Sequence, residues 1–158
     1  MNISRLRAQN FKSFDTVDVE FGDFNVLIGA SASGKSDFLS LLTFLRDIAK
    51  DGVEDAVAMQ SGEIELLRNV QLREAEPTNI CVEAGYGLED LGGTPEFMLR
   101  AGLGSEKATL SGFRYEIGLQ HEKSDFWIEE ESASWAGYFW GREEDSSGAS
   151  SFPCRAER

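Results

Sequence analysis

The sequence contains 158 residues, of which 41% are hydrophobic and 27% are charged, and this composition predicts an ordinary soluble globular domain with a real core. Its 15 Lys and Arg against 28 Asp and Glu give a formal net charge of −13, which argues against non-specific binding of nucleic acid by this chain alone. Arg5, Arg7 and Lys12 could still form a local basic patch near the N-terminus, and a solvated strand face is the alternative interpretation.

Targeting and membrane signals are not found in the sequence. The N-terminal residues lack the apolar segment of a secretory signal, and no stretch approaches the roughly 18 apolar residues that span a bilayer. Cys81 and Cys154 are far apart and match no C-x-x-C pattern, so we expect reduced thiols. These features predict a cytoplasmic protein with no membrane partner.

Strands are predicted over the first thirty or so residues. Residues 3–11 form the weaker candidate, and residues 16–21 alternate apolar and polar side chains, as a half-buried strand does. Residues 24–28, FNVLI, are mostly apolar, which predicts an interior strand covered on both faces.

A helix is predicted from Lys35, where apolar residues begin to recur at the i, i+3, i+4 and i+7 spacing. The stripe expected to be buried consists of Phe38, Leu41, Leu42, Leu45, Ile48 and Ala49. Gly52 is expected to end this helix, and a second, shorter helix is predicted over residues 53–60.

The second half of the chain predicts an antiparallel meander with one solvated face. Its apolar and polar residues alternate around 80–86, 97–103, 113–119 and 126–128. Residues 142–158 lose this periodicity and are predicted to form a disordered tail, which leaves residues 1–141 as the folded unit.

The segment that carries chemistry is GASASGKS, residues 29–36, which matches the phosphate-binding pattern G-x-x-x-x-G-K-[ST]. Gly29 and Gly34 permit unusual backbone angles, so that successive N–H groups can form an anion-binding nest ahead of a helix N-terminus. Lys35 is expected to reach the β- and γ-phosphates, and the Ser36 hydroxyl is expected to bind Mg²⁺. The alternative interpretation, a serine-rich turn, explains neither the lysine nor the strand and helix predicted on either side. The pattern therefore predicts a nucleotide site.

The N-terminal run from ISRLRAQNFKSF through this loop resembles the SMC/RecF-type ATPases of the ABC class. The resemblance is closest to the compact AAA-family predicted ATPases related to RecF and the OLD nucleases, in which a first strand leads to N-F-[KR]-S-[FY], here NFKSF at residues 10–14. It covers residues 1–62 and extends more weakly to residue 132. It implies an α/β fold, a P-loop NTPase head lobe of ABC/SMC type with a mixed sheet and an adjoining antiparallel β-meander.

The resemblance also implies ATP and Mg²⁺ as ligands, with Lys35 as the catalytic contact to phosphate and Ser36 as the metal ligand. The nucleotide-binding residues that it implies are Gly29, Ala30, Ser31, Ala32, Ser33, Gly34, Lys35, Ser36 and Asp37 in the loop, together with Asn10, Lys12 and Ser13. Two positions depart from the family pattern. Ser31 stands where asparagine is usual, and Asp37 suits the helix dipole but adds a negative charge close to the phosphates.

Hydrolysis in the resembled family needs a second acidic motif, four apolar residues followed by Asp-Glu. No such run follows the loop: GLED at residues 87–90 lacks the apolar strand, and FWIEEE at 126–131 would place Glu129 on a short meander strand. LSG at 110–112 is only a fragment of the family's signature motif, and His121 is interpreted as a surface turn residue. The resemblance therefore implies the front portion of an ATPase head that ends before its second acidic motif, as in a split protein or a fragment.

Three functions remain open at this point. The first is an ATP-binding part of an SMC/RecF-like ATPase that acts in DNA repair, DNA processing or phage defence, as a homodimer or with a missing half, and meets nucleic acid only through the complete assembly. The second is a non-catalytic nucleotide-sensing or interaction module that needs a partner chain. The third is a small-molecule or nucleoside kinase, for which the arginines are too scattered along the chain to form a lid.

Overall fold

The computed structural model describes residues 2–60, 67–72, 76–85, 108–122, 125–139, 150–151 and 154–157, and for 108–111, 137–139 and the two C-terminal segments it describes the backbone alone. The strand predicted over residues 97–103 lies outside the described residues. Neither of the helices in the described part has the length and apolar character needed to cross a bilayer.

The described residues form one seven-stranded sheet and two helices. The strands are β1 (Asn2–Phe11), β2 (Phe14–Glu20), β3 (Thr78–Gly85), β4 (Ala108–Glu122), β5 (Asp125–Phe139), β6 (Ser150–Ser151) and β7 (Cys154–Glu157). The helices are α1 (Lys35–Asp51) and α2 (Val53–Met59). The strand order is β2-β1-β3-β4-β5-β6, β7 also pairs with β5, and every pairing between described strands is antiparallel.

The core lies on one face of the sheet, because alternate residues of each strand point to the same side. Leu6 lies opposite Val19 on β2 and Val82 on β3, and Ile80 lies opposite Ile117 on β4. The buried core comprises Leu6, Ala8, Phe11, Phe38, Leu41, Phe44, Val53, Ala56, Val57, Leu67, Ile80, Val82, Ile117 and Leu119. The predicted alternation of β1, β3 and β4 is confirmed.

Both predicted helices are confirmed, and Gly52, with φ of 91°, follows α1 as its C-cap. The buried arc of α1 is rotated from the predicted stripe, because it contains Phe44, whose ring lies 6.0 Å from that of Phe11. Ala49 is exposed, so its predicted burial is wrong. The buried face of α1 is centred on Leu41 and includes Phe44, so Ala49 lies at the edge of that face and is exposed to solvent.

The opposite face of the sheet is covered by ion pairs. Arg5 bonds Asp18 at 2.7 Å, and Arg7 and Arg114 both bond Glu83, at 2.6 and 2.7 Å. These side chains are partly exposed, so each pair adds little stability. The described residues therefore support a solvated strand face here, and not a basic patch.

The predicted interior strand at residues 24–28 is wrong. The segment has no strand pairing among the described residues, and its apolar side chains are exposed: Phe24 by 86% and Ile28 by 84%. An interior strand is paired on both sides, and no described strand pairs with this segment. The sheet is consequently antiparallel in its described part, and not mixed as predicted.

Two short strands, β6 and β7, lie within the range predicted to be a disordered tail, and both pair with β5. The remaining residues of 142–158 lie outside the described residues. The boundary after residue 141 and the tail remain predictions.

Candidate functional site

The phosphate-binding motif forms the connection between the exposed segment 24–28 and helix α1. Gly34 is the N-cap of α1, with φ of 83° and ψ of 4°, and no side chain caps this end. The first helical bond runs from Phe38 N to Gly34 O, so the N–H groups of Lys35, Ser36 and Asp37 have no acceptor within the helix. Together with the helix dipole, these N–H groups form an anion-binding end.

The loop backbone is bent into a left-handed conformation at two alternate positions. Ala32 has φ of 61° and Gly34 has φ of 83°. A left-handed residue with a Cβ costs about 1–2 kcal/mol, so Ala32 holds an unfavourable conformation. Alternating hands turn successive N–H groups toward one point, which is the geometry of an anion nest. Strain of this kind is typical of ligand sites.

Little space surrounds the two fixed glycines of the motif. A Cβ on Gly29 would lie 2.6 Å from Ser33 Oγ. A Cβ on Gly34 would lie 3.0 Å from Phe14 Cε1 and 3.2 Å from Ser13 Oγ. The loop therefore folds tightly on itself and packs against the corner between β1 and β2.

The Lys35 ammonium group is held within the loop. Its Nζ donates hydrogen bonds to Gly29 O at 2.8 Å, to Ala30 O and to Ser33 Oγ at 3.2 Å. No ion pair between described residues includes Lys35. The ammonium group thus places positive charge beside the loop backbone, where the oxygens of a bound phosphate would accept further hydrogen bonds from it.

Ser36 lies at the start of α1 with its side chain exposed. The described residues contain no cluster of three or more His, Cys, Asp or Glu side chains that could hold a metal ion. Mg²⁺ in nucleotide sites takes most of its ligands from phosphates and water and few from protein. A single hydroxyl next to the anion-binding end therefore fits a nucleotide-bound Mg²⁺, and Ser36 is the residue that could supply it.

The residues of NFKSF occupy the corner between β1 and β2, and the structure brings Ser13 and Phe14 to the loop. Lys12 directs its Nζ to Gln60 Oε1 at 3.1 Å and lies over the ring of Phe11. Asn10 is 2% exposed. Its side chain donates to Glu76 O and accepts from Asn69 N, so both polar atoms are committed to the protein interior.

His121 was predicted to be a surface turn residue, and that prediction is wrong. It is 6% exposed, lies on β4, and has its Nε2 2.9 Å from Thr78 Oγ1. Burial lowers the pKa of His121, and the positive charge of Arg68 lowers it further. The alternation through Ile117 and Leu119 reaches position 121 on the buried face, and this was the signal in the sequence that could have located it.

Comparison with known proteins identifies the family of the chain. A family model described as an AAA ATPase domain matches residues 1–126, a range that includes the loop, both helices and strands β1 to β4. No curated protein matches the chain at a significant level. Family membership indicates nucleotide binding and an ATPase-type function. With 126 of its 158 residues matched, the chain belongs to the AAA ATPase domain family.

Proposed function

We propose that residues 29–36 bind the β- and γ-phosphates of Mg·ATP, and that this chain is the nucleotide-binding part of an SMC/RecF-like ATPase. The observation that carries this proposal is the convergence of three features on one loop. The backbone is left-handed at Ala32 and Gly34, the N-terminus of α1 is uncapped, and the Lys35 ammonium group is held at the loop. DNA repair, DNA processing and phage defence are the contexts proposed from the resemblance.

Lys35, Ser36 and Asp37 act differently on a bound nucleotide in this proposal. When the nucleotide binds, the Lys35 ammonium group donates hydrogen bonds to phosphate oxygens in place of the Gly29 and Ala30 carbonyls. Its positive charge then neutralises phosphate charge in the ground and transition states. The free N–H groups at the start of α1 bind the same phosphates, and Ser36 contributes its hydroxyl to Mg²⁺. Asp37 weakens binding by its negative charge, in part offset by the helix dipole.

Binding with little hydrolysis is the activity that we propose for this chain alone. In the sequence, no apolar run followed by Asp-Glu comes after the loop. Glu129 is the nearest candidate for a water-activating carboxylate, and it lies at a register shift between β4 and β5. Its neighbours Ile128 and Glu130 pair with Leu119 and Gly118, so Glu129 has no paired residue on β4. It is exposed on an antiparallel strand, and not at the end of a buried one.

The second candidate, a module that needs a partner chain, is favoured by the exposed segment 24–28. Phe24, Val26, Leu27 and Ile28 are all more than half exposed, and they lead directly into the phosphate loop. Apolar surface of this kind marks an interaction site. We propose that a second copy of this chain or another polypeptide covers it. Because the chain carries a net charge of −13, nucleic acid would be contacted only by the complete assembly.

The first experiment is calorimetric titration of Mg·ATP into the purified chain and into Lys35→Ala. Loss of one charged phosphate contact is expected to weaken binding about ten- to a hundredfold, or about 1.5–3 kcal/mol. Lys50→Ala is the matched control, because Lys50 lies on the same helix with its side chain 74% exposed. Equal binding by the two variants would contradict the proposed site.

The partner proposal is tested by sedimentation of the chain with and without Mg·ATP. Self-association that Ile28→Ser abolishes would identify a second copy as the partner. Val70→Ser is the control, because Val70 is another exposed apolar residue outside the segment. A chain that stays monomeric with Mg·ATP would reject self-association and direct attention to a different polypeptide.

A further inference from the structure

We propose that the buried hydrogen-bonded chain His121–Thr78–Asn10 is a positioning element for the phosphate-binding loop. It starts on β4, crosses β3 and ends at the β1–β2 corner, whose next residues contact Gly34. The inference rests on the proposed function, since it assigns to these residues the task of holding that site in shape.

The β1–β2 corner has a backbone that needs outside support. Asn10 has φ of 52° and Lys12 has φ of 49°, and both therefore lie in the left-handed region that residues with side chains rarely occupy. Phe11 and Phe14 pair across the turn, so only two residues connect the strands. Such conformations persist where neighbouring groups hold them, and here Lys12 N donates to Leu67 O at 2.7 Å.

Asn10 is held at its backbone as well as at its side chain. The Thr78 hydroxyl donates to Asn10 O at 2.8 Å, while the side chain of Asn10 bonds Glu76 O and Asn69 N at 2.6 and 2.8 Å. Asn10 and Thr78 are both buried. The conformation of Asn10 therefore depends on contacts inside the protein. The hydrogen bond from the Thr78 hydroxyl holds its backbone carbonyl.

The direction of the hydrogen bonds fixes the tautomer of His121. Thr78 has one hydroxyl hydrogen, and Asn10 O can only accept it. Thr78 Oγ1 must then accept from His121, so the imidazole carries its proton on Nε2, 2.9 Å away. His121 Nδ1 is left as a bare acceptor, buried and without a hydrogen-bond partner in the described structure. Among the described residues, His121 therefore makes one side-chain hydrogen bond, and this bond orients the Thr78 hydroxyl toward Asn10.

The corner transmits this constraint to the loop through Ser13 and Phe14. An ideal Cβ on Gly34 would meet Ser13 Oγ at 3.2 Å and Phe14 Cε1 at 3.0 Å, so the corner lies in close contact with the glycine that begins α1. A shift at Asn10 or Lys12 moves Ser13 and Phe14, and with them the support of the loop.

The test uses Thr78→Val, which keeps the shape and removes the hydroxyl, and Thr78→Ser, which restores it. In the ligand-free protein, the amide resonances of Ser13 and Gly34 are expected to shift in Thr78→Val and in His121→Leu, and the Lys12 amide, which bonds Leu67 O, is expected to exchange its hydrogen faster. Thr78→Ser and His121→Gln are expected to return both readouts toward wild type. Val82→Ala is the matched control, a buried change on the same strand at a position that pairs with Leu6 and Tyr115 and not with a residue of the corner. Unchanged Ser13 and Gly34 amides in Thr78→Val and His121→Leu, or an equal change in Val82→Ala, would overturn the proposal.

Nucleotide titration separates this inference from the proposed function. Thr78→Val is expected to weaken Mg·ATP binding roughly three- to tenfold, as loss of one supporting hydrogen bond does, while Val82→Ala lowers the melting temperature and leaves affinity unchanged. A folded wild-type protein that binds no Mg·ATP would refute the proposed function, and the ligand-free resonances would still decide whether the chain positions the loop.

Discussion

The ring of Phe14 occupies the space that a side chain on Gly34 would need, with its Cε1 3.0 Å from the ideal Cβ position. Gly34 also has φ of 83°. The last glycine of the phosphate-binding motif is therefore fixed both by its backbone conformation and by a residue of the β1–β2 corner. Both constraints act on the first turn of α1, where the free N–H groups lie.

Gly34→Ala is expected to weaken binding of Mg·ATP, because the added methyl group would lie 3.0 Å from Phe14 Cε1 and 3.2 Å from Ser13 Oγ, so that the loop or the corner must shift. Gly52→Ala is the matched control. Gly52 also has a positive φ, 91°, but a Cβ there would meet nothing within 4 Å. Both variants should lose stability through backbone strain, of the order of 1–3 kcal/mol. Titration calorimetry on the folded fraction of each variant separates the effect of backbone strain, which both variants share, from the effect of the contacts with Phe14 and Ser13. Tight binding by Gly34→Ala would show that the corner does not shape the site.

Gly29→Ala is expected to weaken nucleotide binding, and Ser33→Ala in the same chain is expected to restore part of it. The new methyl group would lie 2.6 Å from Ser33 Oγ but 3.5 Å from Ser33 Cβ, so removal of the hydroxyl relieves the contact. Ser33→Ala alone removes one acceptor of Lys35 and should have a smaller effect. A double-mutant cycle on Kd measures the coupling, and strictly additive effects would contradict the close approach.

Stability is expected to fall as the pH is lowered through about 6.5, the ordinary pKa of histidine, because of His121. Its pKa in the folded protein lies below that value, owing to burial and to the charge of Arg68. The unfolded chain then binds the proton first, so protonation favours unfolding; above pH 6.5 both states are neutral and the effect disappears. Urea unfolding at pH 7.5 and 5.5 should show a larger loss for wild type than for His121→Gln. An equal loss in the two proteins would mean that His121 titrates as it does in the unfolded chain.

Local features of the sequence predicted the loop and the helices, because each is fixed by neighbours along the chain. GASASGKS requires glycine at positions set by loop geometry, and the 3.6-residue period of α1 follows from its own apolar residues. Contacts between distant segments could not be predicted in this way. The bond between Thr78 and Asn10 joins residues that are 68 positions apart, and the burial of His121 follows from the register of β4. The segment at 24–28 has the composition of a buried strand, but burial depends on neighbouring strands, which its own residues do not specify.

Substitutions in the exposed segment are expected to leave the free energy of unfolding of the isolated chain almost unchanged. Phe24→Ser and Ile28→Ser remove side chains that are 86% and 84% exposed, so each change should be within about 0.5 kcal/mol. Leu41→Ala is the contrasting variant, since Leu41 is fully buried and its truncation should lower stability by about 2–5 kcal/mol. Urea unfolding monitored by circular dichroism measures all three. If Ile28→Ser were as destabilising as Leu41→Ala, the segment would be packed inside the fold of the single chain, and the proposal that another polypeptide covers it would fail.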